Sequence, residues 1–269
     1  MTYVINFLTG VLPILLLYLL IHLFKMMRMY LVLIDQKIGF LRFVFAYCRT
    51  TLVNLAIPFK LGEVYRVAVF YRLSKSMEVG LLSVIVDRFF DTLGLVLIML
   101  PLQLLYPDTV SSVSVFFVVF LAVIVFIYCI FPPTYRYLNR YIIINRGSPR
   151  SMAVLRSLST LKVWYTYVKQ LVSGRYAILL LMSLAAWAAE GGLIAILWRL
   201  LFGEGFEARV FCDYIASILN SAKAAKTIIQ KPYSDLCIAL MLFFTILSGL
   251  LYLWSVKKTD PDGKAVPGA

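Results

Sequence analysis

Long apolar runs separated by short polar stretches set the rhythm of this chain. Stretches near residues 4–24, 79–105, 111–131, 174–201 and 234–256 each approach or exceed the roughly 20 residues that a helix needs to cross a bilayer core. They predict about five membrane-spanning helices. Residues 40–72 follow a different pattern, apolar in the middle but interrupted by Asn54, Pro58, Gly62 and several charges. Proline removes a backbone donor and clashes with the preceding turn, so this segment reads as a helical hairpin that enters the membrane and returns. Residues 206–231 read as a weaker counterpart. The expected fold class is all-α, a polytopic membrane protein with about five full spans and two re-entrant hairpins.

That order divides the chain into residues 1–105 and 106–258, each holding a span, a hairpin and a span in opposite orientation. Broken segments at corresponding positions of inverted halves point to a transporter's central site. This symmetry is read from topology alone and not from similarity between the sequences of the two halves. Between the third and fourth spans, Val154, Leu158, Leu161, Tyr165, Val168 and Val172 recur at helical spacing, with Arg156, Lys162 and Lys169 interleaved. The pattern predicts an amphipathic helix over about 150–173, lying in the headgroup layer or packed on the ends of the bundle. Residues 259–269, polar and rich in Pro and Gly, are expected to form a disordered tail.

Composition fixes the solvent. With 62% hydrophobic residues, 14% charged residues and a mean hydropathy of +0.90, the chain cannot present an ordinary surface to water. The first run has neither a basic leading region nor a small-residue cleavage site, which favours a retained span over a cleaved signal peptide. Cys48, Cys129, Cys212 and Cys237 stand singly in apolar segments and are expected to be packing residues. No metal or other cofactor is expected. The formal net charge of +13 informs topology through its distribution. Lys25, Arg28, Lys37 and Arg42 follow the first span, Arg72 and Lys75 follow the first hairpin, a series from Arg136 to Arg175 follows the third span, and Lys257 and Lys258 follow the last. The connections near 107–112 and 203–213 are acidic or weakly charged. Short basic loops stay in the cytoplasm, so the amino terminus is expected outside the cytoplasmic (inner) membrane and the carboxyl terminus inside it.

The charges inside apolar segments carry the candidate chemistry. A charge at the centre of a membrane helix costs about 2.5–3.5 kcal/mol on insertion scales, so a chain that keeps several has a use for them. Glu63 lies three residues from both Lys60 and Arg66, and Asp87, Arg88 and Asp91 fall within one turn of the next span. Lys60, Arg66 and Arg88 balance Glu63, Asp87 and Asp91, which suits cations able to exchange an internal carboxylate for an incoming phosphate. The competing reading is a closed ion-pair network that only fixes helix packing. Glu190, followed by Gly191 and Gly192 in the fourth span, could couple protons, pair with a lysine of the second hairpin, or remain protonated at a helix-packing site. His22, the only histidine, reads as an interfacial residue, and Ser159 with Lys162 has a nucleophile-pair spacing without a supporting motif.

The pattern Pro58-x-x-x-Gly62-Glu63-x-x-Arg66, followed by Asp87-Arg88-x-x-Asp91, resembles the flippase-like transmembrane domain of lysylphosphatidylglycerol synthases, the multiple peptide resistance factors. Asp87 stands where that family commonly has glutamate. The resemblance is specific over residues 10–105. It implies roles for Pro58, Gly62, Glu63, Arg66, Arg88 and Asp91, and a function in moving or handling aminoacyl phospholipids or polyprenyl-linked glycolipids. One departure is plain: where the family has a Gly-Gly-x-Gly-x-x-Glu motif, residues 217–233 offer Lys223, Lys226 and Lys231. These lysines either face a lipid phosphate or snorkel to an interface. The soluble aminoacyl-transferase domain of the larger synthases is absent from the sequence, so no enzymatic activity is expected.

The resulting expectation is a lipid transporter of the flippase type that binds a phosphate-bearing lipid: an anionic phospholipid, an aminoacyl phospholipid or a polyprenyl-phosphate lipid. A homo-oligomer or an envelope-biosynthesis partner is compatible with it. Nucleic acid is not expected as a partner. Two other classes stay open: a non-transporting accessory subunit of envelope machinery, and a membrane enzyme that uses Asp87, Asp91 or Glu63 as base or metal ligand.

Overall fold

A computed structural model describes residues 2–57, 61–107, 112–145, 149–203, 205, 207–219 and 230–259. Among them the regular structure is helical: α1 (Thr2–Leu33), α2 (Phe40–Ala56), α3 (Leu61–Ser74), α4 (Met77–Leu105), α5 (Ser112–Asn145), α6 (Pro149–Val172), α7 (Tyr176–Phe202), α8 (Ala208–Leu219) and α9 (Gln230–Thr259), with a 3₁₀ turn at Ile34–Gln36. Among the described residues four stretches are long and apolar enough to cross a membrane: Val11–Gln36, Ser114–Ile144, Tyr176–Phe202 and Lys231–Lys257. The protein is an all-α, multi-pass membrane protein. The fifth expected span is helical as α4, with Asp87, Arg88 and Asp91 in its first half.

Three boundaries differ from the sequence expectation. The first helix does not end near residue 24 but runs to Leu33, because the apolar run resumes after each cation as Met26, Met27, Met29 and Tyr30 to Leu33. Lys25 and Arg28 are therefore helix residues, not loop cations, and Arg28 is buried. The third span continues through Pro132 and Pro133 to Asn145. The expected tail at 259–269 begins with Thr259 still in α9, and its other residues lie outside the described ones.

The chain forms two compact units. One takes Met1–Val32 and Ile85–Ala225, the other Leu33–Val84 and Lys226–Ala269. In the first unit, Val32, Val86, Phe90, Leu171 and Leu179 form a core in which Tyr167, Val168 and Val172 of α6 also take part. The end of the amphipathic helix is thus packed against the bundle, the second of its two expected placements. The same helix pairs with α5, where Tyr165 meets the rings of Tyr128 and Phe131 at 4.9 and 5.1 Å. Cys212 is buried in this unit, whereas Cys129 on α5 is exposed rather than packed.

In the second unit, α2 and α3 form an antiparallel hairpin, with Phe43 stacked on Phe70 at the far end and Asn54 beside Gly62 at the near end. α2 ends at Ala56 and α3 begins at Leu61, on either side of Pro58, and Pro58 and Lys60 themselves lie outside the described residues. The chain crosses tightly at Gly62: a Cβ there would stand 2.4 Å from the Cα of Asn54. On the other side of α2, Phe45 stacks on Tyr252 of α9 at 5.8 Å and lies against Gly249. Cys48 and Cys237 are buried here.

Candidate charged site

The motif residues divide between the two units. In the second unit, Glu63 on α3 accepts a hydrogen bond from Asn54 Nδ2 at 3.1 Å, and its other oxygen lies 4.0 Å from Arg66 Nη1. Arg66 is buried, and its guanidinium sits over the rings of Tyr47 and Phe70 at about 6 Å, within cation–π range. The absence of a side chain at Gly62 lets α3 come close enough for Asn54 to reach Glu63. Gly62, Glu63 and Arg66 therefore act as one local constellation, as their spacing suggests.

In the first unit, Asp87 and Asp91 stand one turn apart on α4 and share a partner that the sequence motif does not contain. Arg28 of α1 donates from Nε to Asp87 Oδ1 at 2.8 Å and from Nη1 to Asp91 Oδ1 at 2.9 Å. It also donates to the hydroxyl of Ser183 on α7 at 2.7 Å, which in turn donates to the carbonyl of Leu179. Both Arg28 and Asp87 are almost fully enclosed, with side-chain exposures of 2% and 1%. One guanidinium thus ties three helices together. The close approach has its own cause: at Gly94 a Cβ would stand 2.7 Å from Ser183 Cβ, so a larger residue on α4 would push α7 away.

Arg88 differs from its neighbours. Its Nη1 lies 3.5 Å from Asp91 Oδ2, a long contact, and its side chain is 42% exposed. Beside this cluster, Lys25, one turn before Arg28 on α1, pairs with Glu190 of α7 at 2.8 Å. The lysine also lies 5.2 Å from the centre of the Trp187 ring, and Trp187 Nε1 donates to the backbone carbonyl of Asp91 at 2.9 Å. Tyr214 of α8 reaches Glu190 Oε1 at 3.4 Å. Glu190 thus has a cation of α1 as a partner across the helix interface.

A family model described as the transmembrane region of lysylphosphatidylglycerol synthase matches residues 5–205. The chain belongs to that family. Its match runs well past the two motifs and takes in α1 to α7, and so every helix that supplies Arg28, Asp87, Asp91, Lys25 and Glu190. No curated protein and no solved structure matches the chain. Family membership establishes a membrane protein related to lipid handling.

The six expected site residues are thus distributed. Glu63 and Arg66 form one group, and Asp87, Arg88 and Asp91 form another with Arg28. Lys60, Lys223 and Lys226 lie outside the described residues. Glu190 is placed in the first unit, beside Lys25. Sequence reasoning missed Lys25, Arg28, Ser183, Trp187, Tyr214 and Asn54. The available signal for the first two was that the apolar run continues beyond them, which marks cations within a helix rather than after it. His22 rests against Tyr18, with ring centres 4.5 Å apart, and Ser159 donates to the Arg156 carbonyl rather than facing Lys162.

Proposed function

We propose that this protein binds and translocates a phosphate-bearing lipid, either an aminoacyl phospholipid or a polyprenyl-linked glycolipid, and that Arg88 is the group that takes the phosphate. The observation that carries the reading is the sharing of Asp91. That carboxylate is held by Arg28 at 2.9 Å and by Arg88 at only 3.5 Å. A phosphate arriving at the half-exposed Arg88 can displace Asp91 without leaving it uncompensated, because Arg28 still holds it. Losing the only partner of a buried charge would cost on the order of 3–5 kcal/mol, whereas this exchange avoids that penalty. The planar fork of an arginine suits phosphate oxygens.

The charge count agrees. In the first unit Lys25, Arg28 and Arg88 balance Asp87, Asp91 and Glu190, so a cargo phosphate would give this cluster a net negative charge and make its binding reversible. Acyl or prenyl chains would remain in the bilayer. The function is transport rather than covalent chemistry, the location is the cytoplasmic membrane, and the amino terminus faces outward. Translocation of fluorescent or isotopically labelled anionic and aminoacyl phospholipids by the purified protein in proteoliposomes tests this. Arg88→Gln, Arg66→Gln and Glu63→Gln should each insert normally and lose translocation; full translocation by all three would remove the proposal.

A further inference from the structure

The α5–α6 hairpin carries a charge pattern that the intramembrane cluster does not use. Between Asp108 and Glu190 the sequence contains eight Arg and Lys residues and no Asp or Glu. The structure gathers part of that charge onto two antiparallel helices. Tyr165 of α6 packs on Tyr128 and Phe131 of α5, and Lys162 lies 5.1 Å from the centre of the Tyr135 ring. Lys162 is therefore held at the level of Tyr135 on α5, where Arg136 is the next residue along the helix and Arg140 lies one turn beyond. Arg136, Arg140, Arg156 and Lys162 are all exposed.

Length gives these cations a place. At 1.5 Å per residue, the 34 residues of α5 extend about 51 Å, well beyond a hydrocarbon core of roughly 30 Å. The charge-free part of α5, residues 112–135, is long enough to cross that core, and Arg136 is the first charge after it. The exposed cations are interleaved with exposed apolar side chains, including Tyr137 at 68%, Met152 at 64% and Val163 at 53%. A surface that is cationic and apolar together fits a leaflet of anionic lipid, where headgroup phosphates meet Arg and Lys and the apolar groups reach the acyl boundary. A polyanion such as nucleic acid would satisfy the charges and leave the apolar groups in water.

We infer that the α5–α6 hairpin is a binding surface for anionic phospholipid headgroups, separate from the intramembrane charged site. Trp164, two residues after Lys162 and partly buried, serves as the reporter. The full-length protein is placed in vesicles of phosphatidylcholine in which either phosphatidylcholine or phosphatidylglycerol carries bromine at matched content. The Trp164 signal is the difference between the parent protein and Trp164→Phe. Brominated phosphatidylglycerol should be enriched about Trp164 over the bulk vesicle by about fivefold or more at low salt, the factor that one cation contributes beside an anionic leaflet. Rising salt should reduce the excess, since exposed charges are screened.

The combined variant Arg136→Gln, Arg140→Gln, Arg156→Gln and Lys162→Gln should lose the preference while brominated phosphatidylcholine quenches it as in the parent. Equal quenching by the two brominated lipids in the parent overturns the inference and leaves the cations to a partner outside the bilayer. So does a preference that survives in the combined variant. The salt titration of the parent protein decides the matter alone if that variant does not fold.

Discussion

Arg28 holds two carboxylates and a serine from inside a helix that its own neighbours make apolar. Its removal leaves Asp87 without the bond to its best-placed donor and Asp91 with the longer contact to Arg88. Arg28→Met is therefore expected to destabilise the protein by about 3–5 kcal/mol, as breaking a buried pair does, and to lower the unfolding temperature in detergent. Replacing the network as a unit has a different outcome. Arg28→Met combined with Asp87→Leu and Asp91→Leu should recover most of that stability, because apolar side chains of similar volume remove the unpaired charges together. If transport stays absent in the stable triple variant, the network serves function; if transport returns with stability, the network only fixes packing. Lys25 and Glu190 permit the same comparison on a smaller scale, with Glu190→Gln retaining the shape and removing the charge.

The helices meet where side chains are missing. At Gly62 the obstacle to a Cβ is the Cα of Asn54 itself, at 2.4 Å, so α2 and α3 would have to separate. Gly62→Ala should cost about 1–3 kcal/mol, the usual range for overpacking, and Asn54→Ala should not rescue it, because the blocking atom is backbone. Rescue by Asn54→Ala in thermal unfolding would show that the side chain alone sets the spacing. At Gly94 the nearest atom is the Cβ of Ser183, so Gly94→Val should separate α4 from α7 and loosen the hydroxyl that receives the Arg28 bond. The motif glycine is thus legible in the sequence as a break, but its reason, the close approach of Asn54, is not. The hairpin at 40–72 was legible because proline and glycine interrupt an apolar run. The length of α1 was obscured by two cations that look like the end of a span when read alone.

For the whole molecule, the inverted-repeat reading fixes which connections share a face of the membrane. If the two halves at 1–105 and 106–258 are inverted, cysteines introduced at Ser74 and Ser112 should be labelled from opposite faces of the membrane by an impermeant maleimide. Labelling of both from one face would end the inverted-repeat model while leaving family membership untouched. The family match over residues 5–205 includes both charged groups, Glu63 with Arg66 and Arg28 with Asp87 and Asp91. The match is therefore broader than the two short motifs at 58–66 and 87–91.

The sequence by itself determined what its local patterns can encode: an all-α membrane protein, from run length and composition; a broken hairpin, from Pro58 and Gly62; and the family, from two short motifs. Only the tertiary structure decided the partners of the charges. Arg28 lies 59 residues from Asp87, 63 from Asp91 and 155 from Ser183, and no local pattern joins positions so distant. Their pairing depends on how α1, α4 and α7 are rotated and how closely they approach, which packing sets at Gly94 against Ser183. A helix period tells which residues share a face; it does not tell which other helix that face will meet.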